Sequence, residues 1–197
     1  GFTQFFARTF LDFHVEGLDR IPRKGPLIVA CNHISFWDPP LVGSSVPREM
    51  HFLAKVELFH NPLFGALIRS YNSIPIQRGA KSRSGLRGAE EVLTAGGAVL
   101  IFPEGTRNKS GELLQPRAGV ARLAALTRTP VVPACITGSD QIRRSMRRQV
   151  RIRVSFGSPV MPPRSENPER DEVRAFARMI MDRIRAMREE QEAKTWK

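Results

Sequence analysis

Cysteine is scarce in this sequence. The two present, Cys31 and Cys135, each sit in an apolar stretch. So placed, they read as buried free thiols in a reducing compartment. An apolar site raises a thiol's pKa, which counts against Cys31 as a nucleophile. No run of about 18 apolar residues occurs, so no membrane-spanning helix is expected. No basic-then-apolar secretory signal opens the chain, whose first residue is Gly1. No His/Cys cluster has metal-ligand spacing, no Gly-x-Ser-x-Gly turn is present, and there is no internal repeat, low-complexity tract or linker. Acidic residues are few as well: 19 Asp and Glu stand against 31 Lys and Arg, a net charge of +12. An excess of that size opposes compaction and points to an anionic partner: nucleic acid, an anionic membrane surface or an anionic substrate. The densest basic run, "RRSMRRQVRIR" (143–153), has no aromatic residue on which a base could stack, so no nucleic-acid partner is expected.

What is present suits one compact domain. The chain has 197 residues, 41% of them hydrophobic, enough to build a single core. Phe2, Phe5, Phe6, Phe10 and Phe13 recur at helical spacing and predict an amphipathic N-terminal helix over 1–16. Its aromatic face either packs on the domain or lies in a membrane interface. "GPLIVACNH" (25–33) is a continuous apolar strand of the kind covered on both sheet faces. Further strands are predicted at 50–55, 73–79, 98–105, 129–138 and 150–157. The last alternates basic and apolar residues, as a half-exposed strand near the sheet edge would. Helices are predicted at 61–71, 82–95, 118–127 and about 168–190. Strands alternating with helices give a single α/β domain, with a mostly parallel mixed sheet flanked by helices. In such folds ligands gather beyond the carboxyl ends of the strands.

Several strands end in polar residues. The first ends at Asn32–His33, and Asp38 follows five positions after the histidine. A loop that turns into a helix at Asp38–Pro39–Pro40 can fold the carboxylate back onto one imidazole nitrogen. That fixes the tautomer and leaves the other nitrogen as a base. Asp38 can equally cap the helix that follows. His14, His51 and His60 are read as ordinary. Ser35 lies too close to His33 on the same loop for a triad, so the proton to be taken is better sought on a substrate hydroxyl. "FPEGTRN" (102–108) ends another strand. Gly105 there allows close backbone approach, and Arg107 offers a fork suited to phosphate. Arg78 and Lys55 end two further strands. Cations at several strand ends imply an anionic ligand, most simply a phosphate.

"NHISFWD" together with "FPEGTR" resembles the glycerolipid acyltransferase family, which includes the lysophosphatidic acid acyltransferases. The family's first block matches Asn32, His33 and Asp38, its second Arg78 in "SIPIQR", its third Phe102 through Arg107, and its fourth Val132–Pro133. Two departures are Asn72 where Gly is usual, and Pro116–Arg117–Ala118–Gly119 in place of Phe-Lys-x-Gly. The resemblance implies a glycerol-3-phosphate acyltransferase-like fold and an O-acyltransferase. The acyl group would pass from acyl-CoA or acyl carrier protein, which are substrates rather than cofactors, to the hydroxyl of 1-acylglycerol 3-phosphate, giving phosphatidic acid. Glycerol 3-phosphate or another lysophospholipid is the alternative acceptor. It further implies that His33 is the base and Asp38 its orienter. Arg78, Arg107, Lys55 and Arg117 would hold the acceptor phosphate, with Asn32, Glu104, Gly105 and Thr106 in binding or loop roles. The charge and the Phe-rich helix would place such an enzyme at the cytoplasmic face of the cell membrane, peripherally attached. A non-catalytic lipid- or nucleic-acid-binding module on the same fold is the reading from another class.

Overall fold

The computed structural model describes residues 2–76, 86–108, 112–164 and 169–194. In chain order the elements are α1 (Phe2–Phe10), β1 (Phe13–Glu16), β2 (Leu27–Cys31), α2 (Asp38–Ser45), β3 (His51–Lys55), α3 (Pro62–Ser70) and β4 (Ser73–Ile76). These are followed by α4 (Arg87–Thr94), β5 (Ala98–Ile101), α5 (Gly119–Thr127), β6 (Val131–Thr137), α6 (Ile142–Met146), β7 (Ile152–Phe156) and α7 (Arg170–Ala193). The strands form one seven-stranded sheet in the order β1-β7-β6-β2-β5-β3-β4. From β6 to β4 every neighbouring pair is parallel. β7 runs antiparallel to β6, and β1 runs parallel to β7.

The central strands are apolar at every position because both faces of the sheet are covered. In β2, Leu27, Val29 and Cys31 point to one face, where they pack with Ala7 of α1, Leu11 just after it, and Leu41 and Val42 of α2. Ile28 and Ala30 point to the other, against Leu93, Val120, Leu123 and Ile180 from α4, α5 and α7. This period-2 division makes a three-layer α/β/α sandwich. Burial of each large aliphatic side chain contributes about 1.5–3 kcal/mol. α7 opens with a reciprocal capping box between Glu169 and Glu172. Of its expected core face, Val173, Phe176, Ala177, Ile180 and Ile184 are buried, and Met187 is half-buried.

One expectation about the start of the chain changes. The helix predicted over 1–16 stops at Phe10, and Phe13–Glu16 is an edge strand instead. The reason is visible in "FHVE": Phe13 and Val15 face inward while His14 and Glu16 face out, a period of two rather than 3.6. Phe13 therefore belongs to the sheet, and the aromatic stripe divides. Phe6 packs partly on the core, whereas Phe5 and Phe10 are 65% and 50% exposed. The strand expected near the sheet edge at 150–157 is β7, beside the outermost strand β1, and it alternates as expected: Ile152, Val154 and Phe156 are buried in the core, and Arg153 and Ser155 are half-buried.

Candidate active site

The register of the parallel sheet decides which loops meet. Ala30 of β2 pairs with Ile101 of β5. His33 and Glu104 each lie three residues beyond that pair, at the same carboxyl edge of adjacent strands. The backbone N–H of His33 accordingly donates to Glu104 Oε1 at 3.0 Å, and Leu114 N–H donates to Oε2 at 3.0 Å. Asn108 N–H returns a bond to His33 O at 2.8 Å. Glu104 is buried, and both of its oxygens are occupied by backbone donors. It bonds to no arginine among the described residues, so its geometry is that of a tie between loops rather than an arginine orienter.

Asn32 extends the ladder by one more step. Its side-chain Nδ2 donates to Ile136 O at 2.9 Å, and its Oδ1 accepts from Ile136 N–H at 2.8 Å. The amide thus does for β2 and β6 what a further residue of strand would do, in a site with almost no solvent contact. This holds the start of the 33–38 loop against the sheet.

Within that loop the chain doubles back. Asp38 is the first residue of α2, and Pro39 and Pro40 follow where helical N–H groups would lack partners. Its carboxylate turns away from the helix it begins. Asp38 Oδ2 accepts from Ile34 N–H and Ser35 N–H, both at 2.7 Å, and meets His33 Nδ1 at 2.8 Å. Oδ1 accepts from the hydroxyl of Ser139. Ser139 is fully buried and follows Gly138, whose left-handed φ of 76° turns the chain under the dyad just after β6. No reading of the sequence had marked Ser139. The residue stands 101 positions from Asp38, and only the sheet order brings β6 beside β2.

The imidazole of His33 is fixed by two contacts and largely enclosed. Nδ1 is held by Asp38, the ring stacks on Phe102 with centroids 4.0 Å apart and planes 18° apart, and its side chain is 13% exposed. With Nδ1–H donating to the carboxylate, Nε2 carries the lone pair and has no hydrogen-bond partner among the described residues. Asp38's carboxylate is fully buried. A base whose tautomer is set and whose second nitrogen is open can take a proton from a bound hydroxyl.

Around the dyad stands a cationic rim. Gly105 has φ 68°, and a Cβ there would lie 2.6 Å from Cδ and Nε of Arg117, whose side chain crosses the glycine. Arg117 N–H donates to Pro103 O at 2.9 Å, which closes the β5–α5 loop on itself. Arg107 lies over the ring of Phe36, its Cζ 3.3 Å from the centroid. Thr106, between them in the loop, is exposed. Lys55, the exposed last residue of β3, is on the same edge but two strands from β2. Arg78 lies outside the described residues. Both cysteines are buried and free. Burial pushes the Cys31 thiol well above its usual range and Cys135 up to about 12, in keeping with inert packing residues.

The acyltransferase family's model matches residues 12–137, which span the whole of this edge from β1 to the end of β6. The chain belongs to the acyltransferase family. Among its relatives is a 1-acyl-sn-glycerol-3-phosphate acyltransferase of Cocos nucifera, 33% identical over 160 residues, covering 78% of this chain and 51% of the relative. The protein of the same name from Streptococcus pneumoniae is 30% identical over 150 residues, 75% of this chain and 55% of its own length. A lyso-ornithine lipid O-acyltransferase of Rhizobium meliloti is 33% identical over 134 residues, 67% of this chain and 44% of that protein. The chain thus spans about half the length of these curated relatives. The crystal structure of the 1-acyl-sn-glycerophosphate (LPA) acyltransferase PlsC from Thermotoga maritima superposes with a TM-score of 0.77 at 29% identity, covering 97% of this chain and 78% of that one.

Proposed function

We propose that this acyltransferase moves a fatty acyl group from a thioester, acyl-CoA or acyl carrier protein, to the free hydroxyl of 1-acylglycerol 3-phosphate. The observation that carries the reading is the His33–Asp38 dyad. One imidazole nitrogen is tied to a buried carboxylate that accepts from four donors, and the other has no hydrogen-bond partner among the described residues. His33 Nε2 takes the hydroxyl proton as the oxygen attacks the thioester carbonyl. Asp38 holds Nδ1–H through the transient imidazolium. The tetrahedral adduct then expels the sulfur, breaking the C–S bond, and the thiolate receives the proton from Nε2. Ester and free thiol are the products, and the dyad is restored. Positioning both substrates beside Nε2 supplies a further part of the rate. Arg107, Arg117 and Lys55 serve the acceptor phosphate as cations on the rim, and Arg78 is assigned the same role from its place in the sequence motif.

Thiol release from acyl-CoA, measured with and without acceptor, tests this directly. The expected result is release that requires 1-acylglycerol 3-phosphate and disappears in His33→Ala. A panel of glycerol 3-phosphate, other lysophospholipids and a lyso-ornithine lipid, each with acyl-CoA and acyl carrier protein donors, assigns the acceptor and the donor. A lyso-ornithine lipid belongs in the panel because one relative bears that name. Binding without any acyl transfer would favour the non-catalytic module instead.

Membrane attachment is part of the same proposal. No helix among the described residues is long and apolar enough to cross a membrane. Phe5 and Phe10 of α1 are exposed, and the chain carries a net charge of +12. Basic residues near an anionic surface contribute roughly 1 kcal/mol each, so binding should need both the aromatic and the electrostatic part. Co-sedimentation with anionic vesicles should fall as salt shortens the Debye length below about 8 Å, and in Phe5→Ser/Phe10→Ser. Binding that survives both changes would defeat the attachment model.

A further inference from the structure

Phe36 is 69% exposed, although it is a large apolar residue at the mouth of the site. Arg107 covers part of its ring, with Cζ 3.3 Å from the centroid. Among the described residues the Arg107 guanidinium makes no hydrogen bond and no ion pair, so the ring is the one group that meets it. The two residues belong to different loops, after β2 and after β5. Those loops are locked together by His33 N–H on Glu104 and by Asn108 N–H on His33 O. The stack is therefore built on a fixed base rather than made by two wandering side chains.

We infer that Phe36 is a positioning residue that aims Arg107 at the anionic group of the acyl acceptor. The inference rests on the reading that Arg107 binds that group. Stacking engages the face of the guanidinium and leaves its in-plane N–H donors unspent. A carboxylate orienter would consume two of those donors and cancel the charge. An aromatic orienter does neither, so the fork reaches a phosphate with its orientation already fixed and less ordering cost at binding. This also accounts for an aromatic residue kept in water beside a catalytic loop. Its apolar surface is not what the site uses; its π face is.

The test is steady-state kinetics with a short-chain, micelle-free 1-acylglycerol 3-phosphate varied at saturating donor, which removes any contribution from a lipid surface. Phe36→Ala and Phe36→Leu should each raise the acceptor KM about 2- to 30-fold, the range a cation–π contact supports. The change in kcat should be smaller, and the donor KM should stay the same. Phe36→Tyr and Phe36→Trp keep the π face and should restore the wild-type KM. In an Arg107→Ala background, Phe36→Ala should add nothing, because its effect passes through the arginine. Wild-type acceptor KM in Phe36→Leu would show that any apolar side chain suffices and overturn the inference. So would a Phe36→Ala effect that persists without Arg107. If Arg107→Ala itself leaves the acceptor KM unchanged, the phosphate reading fails first and takes this one with it.

Discussion

The spacing of a histidine with an aspartate five positions later occurs twice in this chain, at His33/Asp38 and at His14/Asp19. The two become entirely different objects. His33 leaves the end of a central strand, and its loop returns into a helix whose first residue is Asp38. His14 lies within the edge strand β1 on its outward side, and its Nε2 meets Asp12 Oδ1 at 3.2 Å instead of Asp19. Gly17, with φ 76°, turns the chain, and Asp19 ends exposed in a short 3-10 turn. One histidine side chain is 13% exposed and the other 52%. Spacing therefore makes a dyad only where a strand end and a helix start are forced together and water is kept out. At the surface, His14 meets a different aspartate, and such a contact contributes about 0–1 kcal/mol even when both partners are charged.

The largest contrast should be in turnover. His33→Ala is expected to lower kcat by about 10²–10⁴-fold or more, whereas His14→Ala should leave kcat within about twofold. His14→Ala should leave thermal unfolding near wild type, whereas His33→Ala, which removes the Phe102 stack and one donor to buried Asp38, should lower Tm by several degrees but still unfold cooperatively. Comparable losses in the two variants would erase the distinction. The aspartates should follow with equal or smaller effects. Asp38→Asn disturbs the tautomer and orientation of His33 and is expected to cost up to what His33→Ala costs. Asp19→Asn should change stability by no more than about 0.5 kcal/mol.

A further variant sharpens why the first region holds its shape. Glu104→Gln replaces one acceptor of the inter-loop tie with a donor facing a backbone N–H. It should destabilise by about 1–3 kcal/mol, lowering Tm by several degrees, with activity falling alongside. A drop in kcat at unchanged Tm would mean that Glu104 acts on substrate. Smallest at neutral pH is the contribution of the thiols. Cys135 titrates near 9 when unfolded and at about 12 when folded. Its stabilising contribution is thus complete below pH 9 and lost as pH rises from 9 towards 12. Urea midpoints between pH 8 and 11 should fall more steeply for wild type than for Cys135→Ala.

Much of this protein was legible in its sequence, for a reason that lies in the sheet. Strands covered on both faces must be apolar throughout, so β2, β5 and β6 announce themselves, and the polar residues that break them mark the loops at one edge. His33, Asp38 and the "FPEGTR" loop were found that way, and the family was recognisable from them. β1 was misread because five phenylalanines imitate a helical stripe, although four residues of alternation within it already favour a strand.

What the sequence could not contain is distance across the sheet. The strand order β6-β2-β5 sets Ser139 under Asp38, Asn32 against Ile136 and Glu104 on the His33 amide. Each of these partners is separated by about 70 residues or more along the chain. Hydrogen bonds reach about 3 Å, so which polar residues share a site depends on register and crossover. The residue types at strand ends were determined by the chain itself. Their assembly into one dyad, one tie and one stacked arginine was decided only when the sheet closed around them.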